Sequence, residues 1–200
     1  MKIFIGSSTQ SLDYAYSVKV HVTAKYGNQL DVLIWRTAFD AGDITIRRIL
    51  ALTEEIDLGL FIFAPDDLLL LNKEEEYSCT RDNVILEAGV FMGRIGLERT
   101  IILSPITEQG KRHRMPTDLA GVTIIQYCHG ADEYEAYANM NHGTYWHLDR
   151  VIDRWIESYN NYHRLNRDTG FNLEIKNTQE INKETPLSRG TTNGFFWLNK

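Results

Sequence analysis

One carboxylate stands out because of where it sits. Between Val84 and Gly93 the chain is apolar apart from Glu87. With about 100° of rotation per residue, Val84, Ala88, Phe91 and Ile95 share one helical stripe, and Glu87 falls at its edge rather than opposite it. A charge there is costly unless it is paired, hydrogen-bonded or protonated. One reading is a structural salt bridge to Arg47, Arg48 or Arg81. The preferred reading is a carboxylate in a pocket, its pKa raised by desolvation and available to a ligand. Just upstream, Asp82 or Thr80 can cap the helix, leaving Arg81 and Asn83 to meet the phosphates or ribose of a ligand. Gly6-Ser7-Ser8 offers backbone N–H groups and two hydroxyls ahead of a helix, which suits an anion or a ribose. Asp66-Asp67 follows an apolar run, where aspartates serve as turn and cap residues or bind a cation. Trp35 and Phe39 are the aromatics that could stack on a base, with core packing as the equal alternative for Trp35.

These residues need a scaffold, and the apolar pattern supplies one. Lys2–Gly6 reads as a strand and Ser11–Tyr26 as a helix stopped at Gly27-Asn28. Asp31–Trp35 is a second strand, followed by a loop over residues 36–43 and a helix over 44–56. Asp57–Ala64 is a third strand, apolar on both faces as a doubly covered strand should be. Residues 68–80 read as a long connection whose four leucines, Leu68 to Leu71, are awkward in a solvated loop and suggest a cover or a contact surface. Asp82–Gly96 is the next helix, Thr100–Pro105 and Val122–Tyr127 are further strands, and residues 131 to about 161 read as helical. Gly89 and Gly93 inside the fourth helix each cost roughly 1 kcal/mol against alanine, which predicts close approach of another backbone. The alternation predicts an α/β fold with a five-stranded parallel, doubly wound, flavodoxin-like sheet in the order 2-1-3-4-5. Ligands of such sheets bind beyond the carboxyl ends of the strands at the switch between strands one and three, where Gly6-Ser7-Ser8 and Ala64-Pro65-Asp66-Asp67 meet. Residues 1–161 are expected to form this domain and residues 162–200 an irregular polar tail ending in Phe195-Phe196-Trp197-Leu198.

Composition narrows the function. The 200 residues are 43% hydrophobic and 24% charged, ordinary for one globular domain. A net charge of −6 argues against a nucleic-acid footprint. Lys111-Arg112-His113-Arg114 is a local exception, read as a solvated loop with a phosphate contact as the weaker option. No apolar run nears the ~18–20 residues of a membrane span, and the amino terminus lacks a signal-peptide pattern, so a cytoplasmic location is expected. Cys79 and Cys128 are expected to be free thiols, and no metal site is expected.

The runs Lys2–Ser8, the tryptophan at the end of strand two, Phe61-Ile62-Phe63-Ala64-Pro65-Asp66-Asp67, Thr100–Pro105 and Met115–Ile125, and above all Arg81-Asp82-Asn83-Val84-Ile85-Leu86-Glu87-Ala88-Gly89-Val90-Phe91-Met92-Gly93-Arg94-Ile95-Gly96, resemble one family. It is the bacterial TIR-like domain family of nucleotide-binding proteins, with members that serve as effector modules of cyclic-nucleotide-triggered antiphage systems, some fused to STING domains. The resemblance covers about residues 2 to 127. It implies NAD⁺ glycohydrolase activity with the helix glutamate essential, a role that carries over to Glu87, with NAD⁺ as substrate and neither cofactor nor metal. It also implies self-association and a cyclic-nucleotide sensor acting in trans. Family members carry Phe-Glu-Leu-Gly where this chain has Leu86-Glu87-Ala88-Gly89, a change that keeps the carboxylate and the glycine. The alternatives are a non-catalytic nucleotide-binding or self-association module and, ranked lower, an N-glycosidic enzyme resembling nucleoside deoxyribosyltransferases.

Overall fold

The computed structural model describes residues 1–38, 45–71, 75–106, 113–119, 121–129 and 142–169. Phe39, Lys111 and Arg112 therefore lie outside the described residues, as does the tail from residue 170 onward.

Five strands form the central sheet: β1 (Lys2–Gly6), β2 (Asp31–Ile34), β3 (Leu58–Ile62), β6 (Thr100–Ile106) and β8 (Thr123–Cys128). Their order is β2-β1-β3-β6-β8, and all four pairings are parallel. This is the doubly wound arrangement expected from the sequence. Central β3 is buried along its whole length, whereas edge strand β8 exposes Ile124 and Gln126 while burying Ile125 and Tyr127. Full burial of an all-apolar strand is what two covering layers produce.

Helices α1 (Leu12–Tyr26), α2 (Trp35–Ala38), α3 (Thr45–Glu55), α4 (Asp82–Ile95) and α5 (His142–Thr169) complete the order. Gly27, with φ +53°, ends α1 as expected. Residues 35–38, expected partly as strand and partly as loop, turn into the short α2. Helix α5 runs to Thr169, beyond the end expected near residue 161. Residues Met1–Asp153 make one compact unit. Within it α5 is tied to α1 through Asp149, which receives hydrogen bonds or ion pairs from His21 Nε2 (2.8 Å), Lys25 Nζ (3.0 Å) and the Tyr26 hydroxyl (3.3 Å). In the second unit, which begins at Arg154, Trp155 stacks on Tyr159 and Tyr159 meets His163 along one helical stripe.

The long connection expected over residues 68–80 is a second sheet instead. Strand β4 (Asp67–Leu71) pairs antiparallel with β5 (Glu75–Cys79), and β5 pairs parallel with the short β7 (His113–Arg114). Strand β4 lies at an edge, with Leu68 and Leu70 exposed at 71% and 60%. Period-2 alternation explains the leucine run: alternate residues point to opposite faces, and Leu69 is half-buried.

The core over one face of the main sheet gathers Phe4, Phe61, Phe63, Ile102, Ile49, Leu52, Val84, Ala88 and Phe91. Phe4 stacks on Phe91 with ring centres 5.1 Å apart, and Phe61 meets Phe91 edge-on at 5.1 Å. Two glycines make room for these rings. A Cβ at Gly59 would lie 2.6 Å from Phe91 Cδ1, and one at Gly6 would lie 2.6 Å from Phe61 Cδ1.

Candidate active site

Helix α4 carries the central carboxylate. Val84, Ala88 and Phe91 are buried on its inner stripe, as the spacing predicts. The rest of the helix is more open. Leu86 is 56% exposed, and a Cβ at Gly89 or Gly93 would meet nothing within 4 Å. No backbone approaches these glycines among the described residues, so the expected reason for them does not hold.

Glu87 is partly buried at the edge of this stripe, and among the described residues it has neither a hydrogen bond nor an ion pair. Burial pushes its carboxyl from the usual range up to about 7. The salt-bridge alternative fails for Arg81, which lies 3.6 Å from Asp67 Oδ1 through its Nε, and no ion pair joins Glu87 to Arg47 or Arg48. Trp35 packs against the same core cluster that Val84 and Ala88 enter, so Glu87 and the indole lie on one side of the sheet.

A second group of residues sits at the switch point. Trp35 Nε1 donates to Ser7 Oγ (3.0 Å), and Ser7 Oγ donates to the Ser8 carbonyl (3.2 Å). Ser11 N donates to Ser8 Oγ (3.1 Å), and Ser11 Oγ donates to Asp66 Oδ1 (2.9 Å). The last bond spans the crevice between the ends of β1 and β3, where a doubly wound sheet places its ligand. Gly6, Ser7, Ser8, Trp35 and Asp66 are thus brought together. Ser11, which the sequence marks only as a possible cap, makes no side-chain cap to α1 and joins them instead.

Arg81 and Asn83 occupy the entry to α4. Arg81, not Asp82 or Thr80, stands at the N-cap, without a side-chain cap bond. Asp82 lies in the first turn, where its charge suits the helix dipole. The Thr80 hydroxyl is engaged with His113 Nε2 (3.2 Å), while Ser78 Oγ meets His113 Nδ1 (3.3 Å). Burial lowers the His113 pKa, with the Asp66 charge opposing that shift. In the sequence His113 is visible only as one member of a basic run. Its clamping of β7 to β5 follows from a pairing 35 residues apart that no local pattern encodes. Tyr14, Tyr127 and His129 also escape a sequence reading. Tyr14 OH lies 3.2 Å from His129 Nδ1, and Tyr127 OH donates to the Phe63 carbonyl at 3.4 Å.

The sequence from residue 2 to 129 matches the model of the CAP12/Pycsar effector protein TIR domain. The chain belongs to that family. Among similar proteins are CD-NTase-associated protein 12 from Flavobacterium daejeonense, 32% identical over 63% of this chain and 38% of its own length, and its namesake from a Lachnospiraceae bacterium, 28% identical over 63% and 37%. The Pycsar effector protein XpPycTIR from Xanthomonas perforans is 31% identical over 64% of this chain and 40% of its own. The chain thus matches about two fifths of each of these relatives, within the TIR domain. Among the described residues no helix is long and apolar enough to cross a membrane.

Proposed function

We propose that this TIR domain cleaves the bond between nicotinamide and ribose in NAD⁺, and that it does so as an effector of bacterial antiphage defence, triggered through a cyclic-nucleotide sensor. The observation that carries the reading is Glu87, a partly buried carboxylate with no partner among the described residues and a pKa raised to about 7. When the bond breaks, its electron pair leaves on the pyridinium nitrogen, so nicotinamide departs neutral and needs no proton. The ribosyl carbon becomes cationic. One carboxylate beside it stabilises that charge and takes a proton from the attacking water, so a second acid, as ordinary glycosidases use, is unnecessary. Trp35 is the candidate platform for a ring of the substrate. Arg81 and Asn83, at the start of α4, are the candidate phosphate contacts. Phe39 is retained as a candidate stacking residue.

Proton NMR of NAD⁺ incubated with concentrated protein tests the reading. Free nicotinamide is expected with the wild type and not with Glu87→Gln. Equal release by both would remove Glu87 from the chemistry.

A second reading, a self-associating module, is favoured by one observation. Among the described residues β4 is an edge strand, and it presents Leu68 and Leu70 to solvent, a template for pairing with another copy. The two readings combine if assembly completes the site.

A further inference from the structure

The solvent side of α4 is built unlike that of an ordinary surface helix. Such helices put charged and polar residues opposite the core. Between Asn83 and Arg94 the one charge on α4 is Glu87, and it lies on the flank. At about 100° per residue, Leu86, Gly89 and Gly93 fall opposite the buried stripe of Val84, Ala88 and Phe91, with Val90 beside them. Leu86 is 56% exposed, both glycines are exposed, and a Cβ at either would meet nothing within 4 Å. Each glycine costs roughly 1 kcal/mol against alanine in a helix interior, and nothing among the described residues offsets it.

The stripe is its own complement. Leu86 and Gly93 lie equally far on either side of the midpoint between Gly89 and Val90. When two such helices pack antiparallel about that midpoint, Leu86 of each copy seats on Gly93 of the other, and the glycines let the backbones come into contact. Parallel packing sets leucine against leucine and glycine against glycine, a clash beside a void. Charge selects the same direction. Asp82 stands in the first turn and Arg94, which also holds Glu54, in the last, and both are exposed. Antiparallel packing brings the acid of each copy to the basic end of the other and opposes the helix dipoles favourably. We propose that the outer face of α4 docks on the same face of a second copy of this chain, antiparallel, with Leu86 over Gly93 in both directions. A contact of about two helical turns covers far less than the ~1,200–2,000 Å² of a stable interface. The pair therefore closes between copies already held together by concentration or by a further contact such as the β4 edge.

Disulfide trapping on the full chain captures a weak pair of this kind. One chain carries Leu86→Cys and the other Gly93→Cys, each with Cys79→Ser and Cys128→Ser to remove the native thiols, and one bears a size tag. Oxidised glutathione is the oxidant, and thermal melts establish that each variant folds. In concentrated solution the mixture should give the mixed dimer about tenfold faster or more than a mixture of Tyr16→Cys and Val20→Cys chains, because a held geometry raises the effective concentration of the two thiols. Tyr16 and Val20 are similarly exposed, on α1. Either chain alone should stay at the control rate, since antiparallel packing keeps like positions about 10 Å apart, beyond the ~7 Å that a disulfide spans between Cα atoms. A mixed dimer no faster than the control overturns the proposal. Self-linking of the Leu86→Cys chain alone overturns it as well, since it reports parallel packing. If Gly93→Cys does not fold, Gly89→Cys against Val90→Cys reads the same contact. Nicotinamide release plays no part in the readout, so the outcome is separate from that of the NAD⁺ reading.

Discussion

The indole N–H of Trp35 is spent on the Ser7 hydroxyl, 3.0 Å away, and Ser7 is 5% exposed. The bond joins the first residue of α2 to the turn after β1. It fixes the orientation of the indole, whose ring also packs against the core cluster under α4. Ser7→Ala should cost about 1 kcal/mol of stability, the net worth of one such bond. If Trp35 stacks on a ring of NAD⁺ as proposed, the substitution should also raise the KM for NAD⁺ more than it lowers kcat, because the indole is loosened rather than removed. Trp35→Phe should show the same pattern. A large fall in kcat with unchanged KM would contradict this assignment.

Glu87 should make stability, and the proposed activity, depend on pH. Its folded pKa lies above the unfolded value, so between about pH 4.5 and 7 the folded state binds more protons than the unfolded chain. Stability is therefore highest below that window and declines as pH rises through it. The decline should be about 1–2 kcal/mol after allowance for solvent screening. Thermal melts from pH 5 to 8 should show it in the wild type and not in Glu87→Gln. The ionised form is the one that stabilises a ribosyl cation, so kcat/KM should rise with pH through about 7.

The Asp149 junction should matter more than an ordinary surface ion pair. His21, Lys25 and Tyr26 converge on a carboxylate whose side chain is 17% exposed. Its charge, with that of Asp153, pushes the Tyr26 hydroxyl well above its ordinary pKa, burial being the larger cause. Asp149→Ala leaves His21 without its acceptor, while Tyr26 keeps the Asp149 carbonyl and Lys25 keeps Asp153, and should cost about 1–2 kcal/mol. Chemical denaturation of the full chain measures it. A loss below roughly 0.5 kcal/mol, the level of a surface pair, would show the network to be incidental.

The outer face of α4 offers a test of what surrounds the domain. Alanine at Gly89 or Gly93 meets no neighbour and removes a glycine from a helix interior. Each substitution should therefore stabilise the isolated chain by roughly 0.5–1 kcal/mol. If either variant is more stable yet loses NAD⁺ cleavage under assembling conditions, that face packs against another copy. Full activity in both would locate assembly elsewhere.

Leu68 and Leu70 are the natural place to look next. Placing lysine at both should abolish concentration-dependent association measured by light scattering, since charge on an edge strand blocks edge-to-edge pairing. The melting temperature should hardly change, because neither side chain is buried.

The main sheet was legible because its strands are short apolar runs between helical periods, and chain order then dictates which neighbours are possible. The hairpin was not. Leu68 to Leu71 is uniformly apolar, its alternation hidden because both faces carry leucine, and its partner Glu75–Cys79 is polar enough to pass for a loop. The helix carrying Glu87 was read correctly along its buried stripe, but Gly89 and Gly93 suggested a contact that the described residues lack. At the switch point, local sequence could nominate Ser7, Ser8 and Asp66. It could not show that Ser11 reaches Asp66, since that bond joins residues 55 apart through the crossover.

Gly59 and Phe91 bear on how mutational data for this domain should be interpreted. Phe91 lies one helical turn beyond Glu87 and fits only because position 59 has no side chain. Any larger residue at 59 should displace Phe91 and, through it, the helix that carries the carboxylate. A screen scored on activity alone would rank position 59 among the catalytic residues, although it lies near the start of a buried strand and bears no side chain. Tolerated change at either position should therefore appear as a pair, a larger residue at 59 accompanied by a smaller one at 91.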